Sequence, residues 1–525
     1  MQPVEQRLGN AAFAVVLGAV ALVTYAPALT GDFLWDDLFN IVENPHLTDG
    51  AGLARIWLEP GATTQYYPLV FSSFWLEHQL FGASPLPYHL VNVGLHALVA
   101  WLLAQVLAAL GIPGARFAGL VFALHPVHVE SVAWISERKN VLSGALYAAA
   151  ALIYIRSATD LVRARTVKQR ALASVALIAL FLGALLAKPT VVTLPASLGI
   201  VAMWHRGRAT LRGFAPLFGM LAIGLPFALL AVSLERGVGA EIGGFRFDLS
   251  LLERFVLGGR ALWFYLSKLA VPIELAFIYP RFGVGPGAWP LVLYPLGWLA
   301  GLLALGVLRP RLGAGPLVAA LTMSVTLAPF LGFFEVYFYR FSWVADHWQY
   351  LSSMGPIALV SAALARLAGS GSARLAAVAR AVGTAAVLAL AAASFAQARQ
   401  YASPEALWSH VLERNPNSAL AHNNLGYALV AQDRHDEAFG NFERAAALDP
   451  DDASAHNNLG LELLRQERFP EAIDHFERAR ELEPNHPQYR RNLRDARQER
   501  RHWQQNLKRF LGERAVGPEA APPKP

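Results

Sequence analysis

Apolar residues fall in long blocks along this chain as far as Ala398, rather than in the short amphipathic periods of a soluble domain. Blocks of roughly 17–25 apolar residues are long enough to cross a hydrocarbon core as helices. About eleven can be read, near 11–29, 88–110, 116–132, 140–156, 171–187, 189–204, 214–233, 289–307, 313–331, 351–367 and 381–397. Two more apolar stretches, 67–81 and 254–272, are interrupted by Glu77 and His78 in one and by Arg260 and Lys268 in the other. These fit re-entrant or interfacial helices, which are tolerated where they line a protein cavity. The pattern predicts an all-α, polytopic membrane domain over 1–398.

After this point the pattern becomes a repeat. Ala421-His422-Asn423-Asn424-Leu425-Gly426 returns as Ala455-His456-Asn457-Asn458-Leu459-Gly460, and Phe442-Glu443-Arg444-Ala445 returns as Phe476-Glu477-Arg478-Ala479, both offset by 34 residues. Pro416, Pro450 and Pro484 keep the same period. A 34-residue helix-turn-helix with Leu-Gly, a later Ala and a closing Pro is the tetratricopeptide pattern. It predicts a short α-solenoid over 399–512, with Trp408 in a preceding half-repeat and a charged capping helix over 488–512. Such an array binds extended peptides or partner proteins in its concave face; a spacer or oligomer contact is the alternative. The segment 513–525 reads as a disordered tail by composition.

Composition agrees with a membrane protein: mean hydropathy is +0.36, 55% of residues are hydrophobic and 16% are charged. The first apolar block has no small-residue cleavage site followed by a soluble domain, so it reads as a retained helix. With no cysteine, a disulfide framework and a Cys-based metal site are both excluded.

Loop charges set the expected orientation, because cytoplasmic loops collect Lys and Arg. The loop 30–66 carries Asp32, Asp36, Asp37, Glu43, Asp49 and Glu59 against Arg55 alone, and is expected outside. The segment 156–170 carries Arg156, Arg163, Arg165, Lys168 and Arg170 against Asp160, and is expected inside. The connections holding Arg206, Arg208 and Arg212, Arg309 and Arg311, and Arg366, Arg374 and Arg380 also read as cytoplasmic. Eleven crossings, with 67–81 and 254–272 not crossing, then leave the repeats on the extracytoplasmic side.

Candidate chemistry sits at the outward ends. Asp36 and Asp37 follow the first apolar block; carboxylates there are costly unless solvated, paired or used in chemistry, and an ordinary acidic loop is the plain alternative. His125, His128 and Glu130 offer either a metal site, if a helix puts the two histidines on one face, or hydrogen-bonding groups of a buried cleft. The metal is left unassigned. Acids at one place and cations at others suit a substrate whose leaving group is phosphate, with a carboxylate as general base. Arg138, Lys139, Lys188, Arg260, Arg281 and Arg340 are the candidate phosphate ligands, with interfacial snorkelling or a local ion pair as the alternative for each.

Trp35-Asp36-Asp37 through Asn44-Pro45, Tyr88-His89-Leu90-Val91-Asn92 with His96, and His125-Pro126-Val127-His128-Val129-Glu130-Ser131-Val132-Ala133-Trp134 together resemble the transmembrane and tetratricopeptide-repeat-containing O-mannosyltransferases. Asp346-His347-Trp348-Gln349-Tyr350-Leu351 is similar to the bacterial form of a later motif of that family. The resemblance implies a GT-C fold, a polyprenyl-phosphate sugar as donor, extracytoplasmic chemistry and a catalytic role for Asp36 and Asp37. It also places His89, His125, His128, Glu130, Asp346 and His347 in a substrate cleft. The chain departs from animal members in having Arg138-Lys139-Asn140 where they tend to have Arg-Ala-Asp, and Asp346-His347-Trp348 where they tend to have Glu-Arg-Tyr.

The resulting expectation is an inverting glycosyltransferase passing a sugar, mannose by the resemblance, to Ser or Thr of an exported protein held by the repeats. Cationic stabilisation of the phosphate makes a divalent metal dispensable, though the acids and histidines leave room for one. Transfer to a lipid or cell-wall glycan, and a non-catalytic scaffold or transporter, are the alternatives. No nucleic-acid partner is implied.

Overall fold

A computed structural model describes residues 2–159, 166–206, 211–241, 248–285 and 289–515. Among them every regular element is helical, as the blocks predict. The chain forms two compact units, one made chiefly of residues up to His410 and the other from Val411 onward. The expected tail lies, from Val516, outside the described residues, as do Asp160, Arg163, Arg165 and Arg208 of the basic loops.

In the first unit five helical segments are long and apolar enough to cross a membrane: Pro85–Ala109, Val167–Ala187, Phe214–Leu234, Pro290–Val307 and Ala373–Tyr401. Shorter apolar helices cover Gly9–Thr24, Gly315–Phe330 and Met354–Ala368. These eight overlap eight of the eleven expected blocks, but only five are long and apolar enough to cross, so eleven spans are not shown; of the remaining three blocks, two are broken and one lies within a single helix. The block 116–132 is not one helix. Its helix stops at Ala123, Pro126 opens a 3-10 turn to His128, and a separate helix runs Val129–Ala133. Proline at 126 removes a backbone donor and favours extended backbone at His125, which disfavours a continuous helix there. The block 140–156 lies within the helix Arg138–Thr159, which takes in Arg138, Lys139 and Arg156 at its ends. The block 189–204 splits into the turn Pro189–Thr193 and the helix Leu194–Arg206. Of the two interrupted segments, Pro68–Phe81 is a helix of 14 residues, short of a crossing. The helix Leu251–Ala270 has 20 residues, is capped by Ser250 and Glu253, and carries Arg254, Arg260 and Lys268.

Phe181, Leu185, Val191 and Leu198 form one buried cluster with Tyr147 and Tyr154. A second gathers Leu257, Tyr265, Tyr339 and Trp348.

The second unit contains the repeat pairs Ala419–Val430 with His435–Leu448, and Ala453–Arg465 with Phe469–Leu482, followed by the helix Pro487–Ala515. The small residue in each Leu-Gly has a direct cause. A Cβ added at Gly426 would lie 2.6 Å from Phe442 Cε1, and one at Gly460 would lie 2.8 Å from Phe476 Cε1. Successive repeats are joined by side-chain amides: Asn458 donates to Asn423 at 3.0 Å and Asn492 donates to Asn457 at 2.7 Å.

Candidate active site

The loop after the first helix turns sharply at Trp35, whose backbone is left-handed (φ 46°), a strained state for a tryptophan. Packing holds it there. The Trp35 ring stacks on Trp134 at 5.7 Å and meets Phe277, Phe338, Phe341 and Trp408 edge-on. The turn sends the next two side chains to different places.

Asp37 is fully buried and its oxygens are occupied. Oδ1 accepts the Ser136 N–H at 2.7 Å and the Ser136 hydroxyl at 2.5 Å, while Oδ2 accepts the Leu34 N–H at 2.9 Å. Asp36 is half-buried and accepts the Trp134 indole N–H at Oδ1, 2.9 Å away. Burial raises both carboxyls, Asp36 to about 6 and Asp37 to about 7. Lys139 opposes the shift at Asp36, whereas Asp36 itself adds to the shift at Asp37.

Beside this pair lies a buried ionic cluster. Glu137 Oε1 is 2.8 Å from Lys139 Nζ, and Glu137 Oε2 is 3.8 Å from Lys188 Nζ. Lys188 donates to Asn140 Oδ1 at 2.5 Å, and the Asn140 amide donates to Glu137 Oε2 at 2.5 Å and to the His347 carbonyl at 2.9 Å. Burial alone would raise Glu137, but His347, Lys139 and Lys188 outweigh it and hold the carboxyl at about 2. Burial also lowers His347, to about 3, so its ring is neutral near pH 7 and the standing counter-charges of Glu137 are the two ammoniums. His347 in turn is fixed by Glu130: Nδ1 and Oε1 lie 2.7 Å apart, and the His347 N–H donates to Oε2 at 3.1 Å. Asp346 receives the Tyr279 hydroxyl at both oxygens, 3.0 Å each, and burial raises it to about 7.

The structure therefore brings Asp36, Asp37, Lys139, Lys188, Glu130, Asp346 and His347 into one connected neighbourhood. It gives Arg138 a separate, internal position. That guanidinium is fully buried and binds Glu77 twice, at 2.5 and 3.1 Å. It also donates to Asn92 Oδ1, to Ser73 Oγ at 3.1 Å and to the Tyr88 carbonyl at 2.9 Å. Arg260 lies over Phe282 at 4.3 Å and donates to the Gly283 carbonyl at 2.8 Å, and Arg281 lies over Trp343 at 5.1 Å. Arg340 closes the turn Tyr337–Arg340, whose Phe338 meets the His347 ring at 5.5 Å.

The histidine block is structural in its bonding. His128 uses Nδ1 on the Phe122 carbonyl (2.8 Å) and Nε2 on Ser353 Oγ (2.9 Å); His125 Nε2 reaches the Leu269 carbonyl at 3.1 Å. His125 caps the 3-10 turn and His128 ends it, so the two do not share one face of an α-helix, and Glu130 is directed to His347. Among the described residues no group of three or more His, Asp or Glu is spaced to hold a metal ion. His89 is buried in the helix Pro85–Ala109, one turn before Asn92.

Three participants carry no role in the sequence analysis: Glu137 and Asn140 stand in the polar stretch around Arg138 without one, and Glu77 stands only as an interruption of an apolar stretch. A lone acid inside an apolar run is the signal for Glu77, since it needs a cationic partner.

Comparison with known proteins agrees with this architecture. A tetratricopeptide repeat family matches residues 417–485. Over 150 residues the chain is 37% identical to Protein O-mannosyl-transferase Tmtc1 of Drosophila melanogaster, covering 26% of this chain and 17% of that protein. It is 35% identical over 153 residues to Protein O-mannosyl-transferase TMTC2 of Mus musculus, covering 27% and 18%. It is 34% identical over 163 residues to Protein O-mannosyl-transferase TMTC1 of Homo sapiens, covering 29% and 18%. The chain thus carries a tetratricopeptide region and is distantly similar to protein O-mannosyltransferases, matching less than a fifth of the length of each of these three relatives.

Proposed function

We propose that this chain is a membrane glycosyltransferase that moves a sugar from a polyprenyl-phosphate carrier to a Ser or Thr hydroxyl of an exported protein. Asp36 is its general base. The observation that carries the reading is the division of labour in the acidic pair: Asp37 is saturated by Ser136 and Leu34, while Asp36 is partly exposed beside a cluster with two ammoniums, Lys188 buried and Lys139 partly so. A carboxyl raised to about 6 is well matched to proton abstraction near neutral pH.

In this reaction Asp36 takes the proton of the acceptor hydroxyl as its oxygen attacks the anomeric carbon. The bond from that carbon to the phosphate oxygen breaks, and polyprenyl phosphate departs with the electron pair. Lys139 and Lys188 face the charge that grows on the leaving phosphate, held in place by Glu137 and Asn140. The aromatic wall of Trp35, Trp134 and Phe277 keeps water from the reacting centre. Direct displacement inverts the anomeric carbon. The repeats present the acceptor polypeptide, and the loop of Asp36 and the repeats lie on the extracytoplasmic side. Mannose as the sugar rests on the similarity to the O-mannosyltransferases.

The test is transfer from radiolabelled polyprenyl-phosphate-mannose, beside other polyprenyl-phosphate sugars, to Ser/Thr-containing exported proteins. Labelled protein with the anomeric configuration opposite to the donor supports the reading. Label only in lipid or glycan moves the acceptor, and no turnover with any carrier sugar overturns the assignment.

A further inference from the structure

The first unit contains a cavity of about 550 Å³ that the proposed chemistry does not use. It runs between the helices Pro85–Ala109, Arg138–Thr159, Leu194–Arg206, Gly315–Leu327 and Met354–Ala368. Its wall is mostly aliphatic, typified by Leu107, Ala151 and Ala358, and its volume lies within the roughly 300–1,000 Å³ of small-molecule sites. Arg366 is the one charged residue in the lining among the described residues.

The two ends differ. Gly111, Leu312 and Arg366 are exposed, whereas Ser352 and Thr326 at the other end are buried. Leu312 belongs to the turn that also carries Arg309 and Arg311, both exposed. The segments framing this mouth, 309–327 and 354–380, hold five arginines and no acid. Along these two segments the mouth is apolar inside and cationic at the rim.

Its mouth is far from the candidate active site, while its buried end, at Leu351 and Ser352, follows His347 closely in the chain. Asn92 donates to the carbonyls of Val132 and Trp134, beside the acidic pair, while Leu110 at the end of the same helix lines the cavity. Eighteen residues of helix at about 1.5 Å each separate the two by about 27 Å, close to the thickness of a hydrocarbon core. A phosphate held at Lys139 and Lys188 cannot also reach Arg366.

We infer that this cavity is a second lipid site, which takes one acyl chain of an anionic phospholipid from the leaflet opposite the active site, with the headgroup at Arg366. An aliphatic cavity inside a membrane unit suits an acyl chain, and a basic rim selects a negative headgroup. The cavity and its basic mouth do not depend on the transferase reading; naming the leaflet opposite the active site rests on it.

The test uses the full chain in nanodiscs with phosphatidylglycerol bearing a mid-chain diazirine, followed by mapping of the photo-crosslinked peptides. Wild type is expected to crosslink at peptides around Leu107, Ala151 and Ala358. Ala151→Phe and Ala358→Phe fill the cavity and are expected to lower that yield about tenfold, with crosslinks on the outer helix faces retained as the control for folding. Arg366→Glu is expected to remove the preference for phosphatidylglycerol over a phosphatidylcholine probe while leaving chain entry. Crosslinks confined to outer faces, or cavity crosslinks unchanged in both filled variants, overturn the site. Displacement by equimolar polyprenyl phosphate overturns the assignment to a lipid other than the donor.

Discussion

Asp37 Oδ1 accepts both the backbone N–H and the hydroxyl of Ser136, so a carboxylate from the first loop pins a turn 99 residues further along the chain. That turn leads directly into Glu137, Arg138 and Lys139. The bond thereby joins the loop bearing Asp36 to the ionic cluster bearing the ammoniums. Asp37→Asn places an amide donor against the Leu34 or the Ser136 donors. We expect a stability loss of about 1–3 kcal/mol, the cost of unpaired buried donors, with part of the loss reproduced by Ser136→Ala. Thermal unfolding of the detergent-solubilised variants measures it.

Arg138 and Glu77 form a buried two-bond pair, and removing one partner strands the other. Glu77→Gln is expected to cost about 3–5 kcal/mol, seen as loss of monodisperse protein on size exclusion. Arg138→Lys does not rescue, because an ammonium cannot reproduce the fork to Glu77 together with the contacts to Asn92, Ser73 and Tyr88. A selective rise in donor KM with an intact fold would instead return Arg138 to the donor.

Much of the site was legible in the sequence, and the remainder had a physical reason for being hidden. Adjacent acids after an apolar block marked Asp36 and Asp37, and Lys188 stood out at the junction of two apolar blocks. Their different roles were hidden because they depend on Ser136 and on the left-handed Trp35, which only tertiary packing fixes. Arg138 looked like a phosphate ligand because its partner lies 61 residues away in a segment read as merely interrupted. The repeat was plain, since a 34-residue period carries its own packing rule. Span boundaries were less so: the apolar run 116–132 hides a proline that ends one helix and turns the chain.

The raised carboxyls set the pH dependence. Asp36 must be ionised to act as base, so kcat/KM should fall as pH drops through about 6 rather than near the ordinary aspartate value of about 3.9. For stability the sign is opposite. The folded state binds these protons more tightly than the unfolded chain, so the stabilisation is full below about 3.9 and is lost as pH rises through about 6–7. A pH–rate profile from 4.5 to 8.5 checks the first expectation, and an acid limb below pH 5 contradicts it.

In the repeat unit, Gly426→Ala forces a methyl into the Phe442 ring. A loss of about 1–3 kcal/mol is expected from overpacking, read by thermal unfolding of the full chain, and Phe442→Leu in the same chain should recover part of it.

The most direct test of the central claim is single-turnover sugar transfer by Asp36→Asn beside wild type, with donor binding and thermal stability measured on the same preparations. The account predicts a rate lower by about 10²–10⁴-fold with donor affinity and stability near wild type. Transfer by Asp36→Asn at the wild-type rate would contradict the assignment of Asp36 as the base.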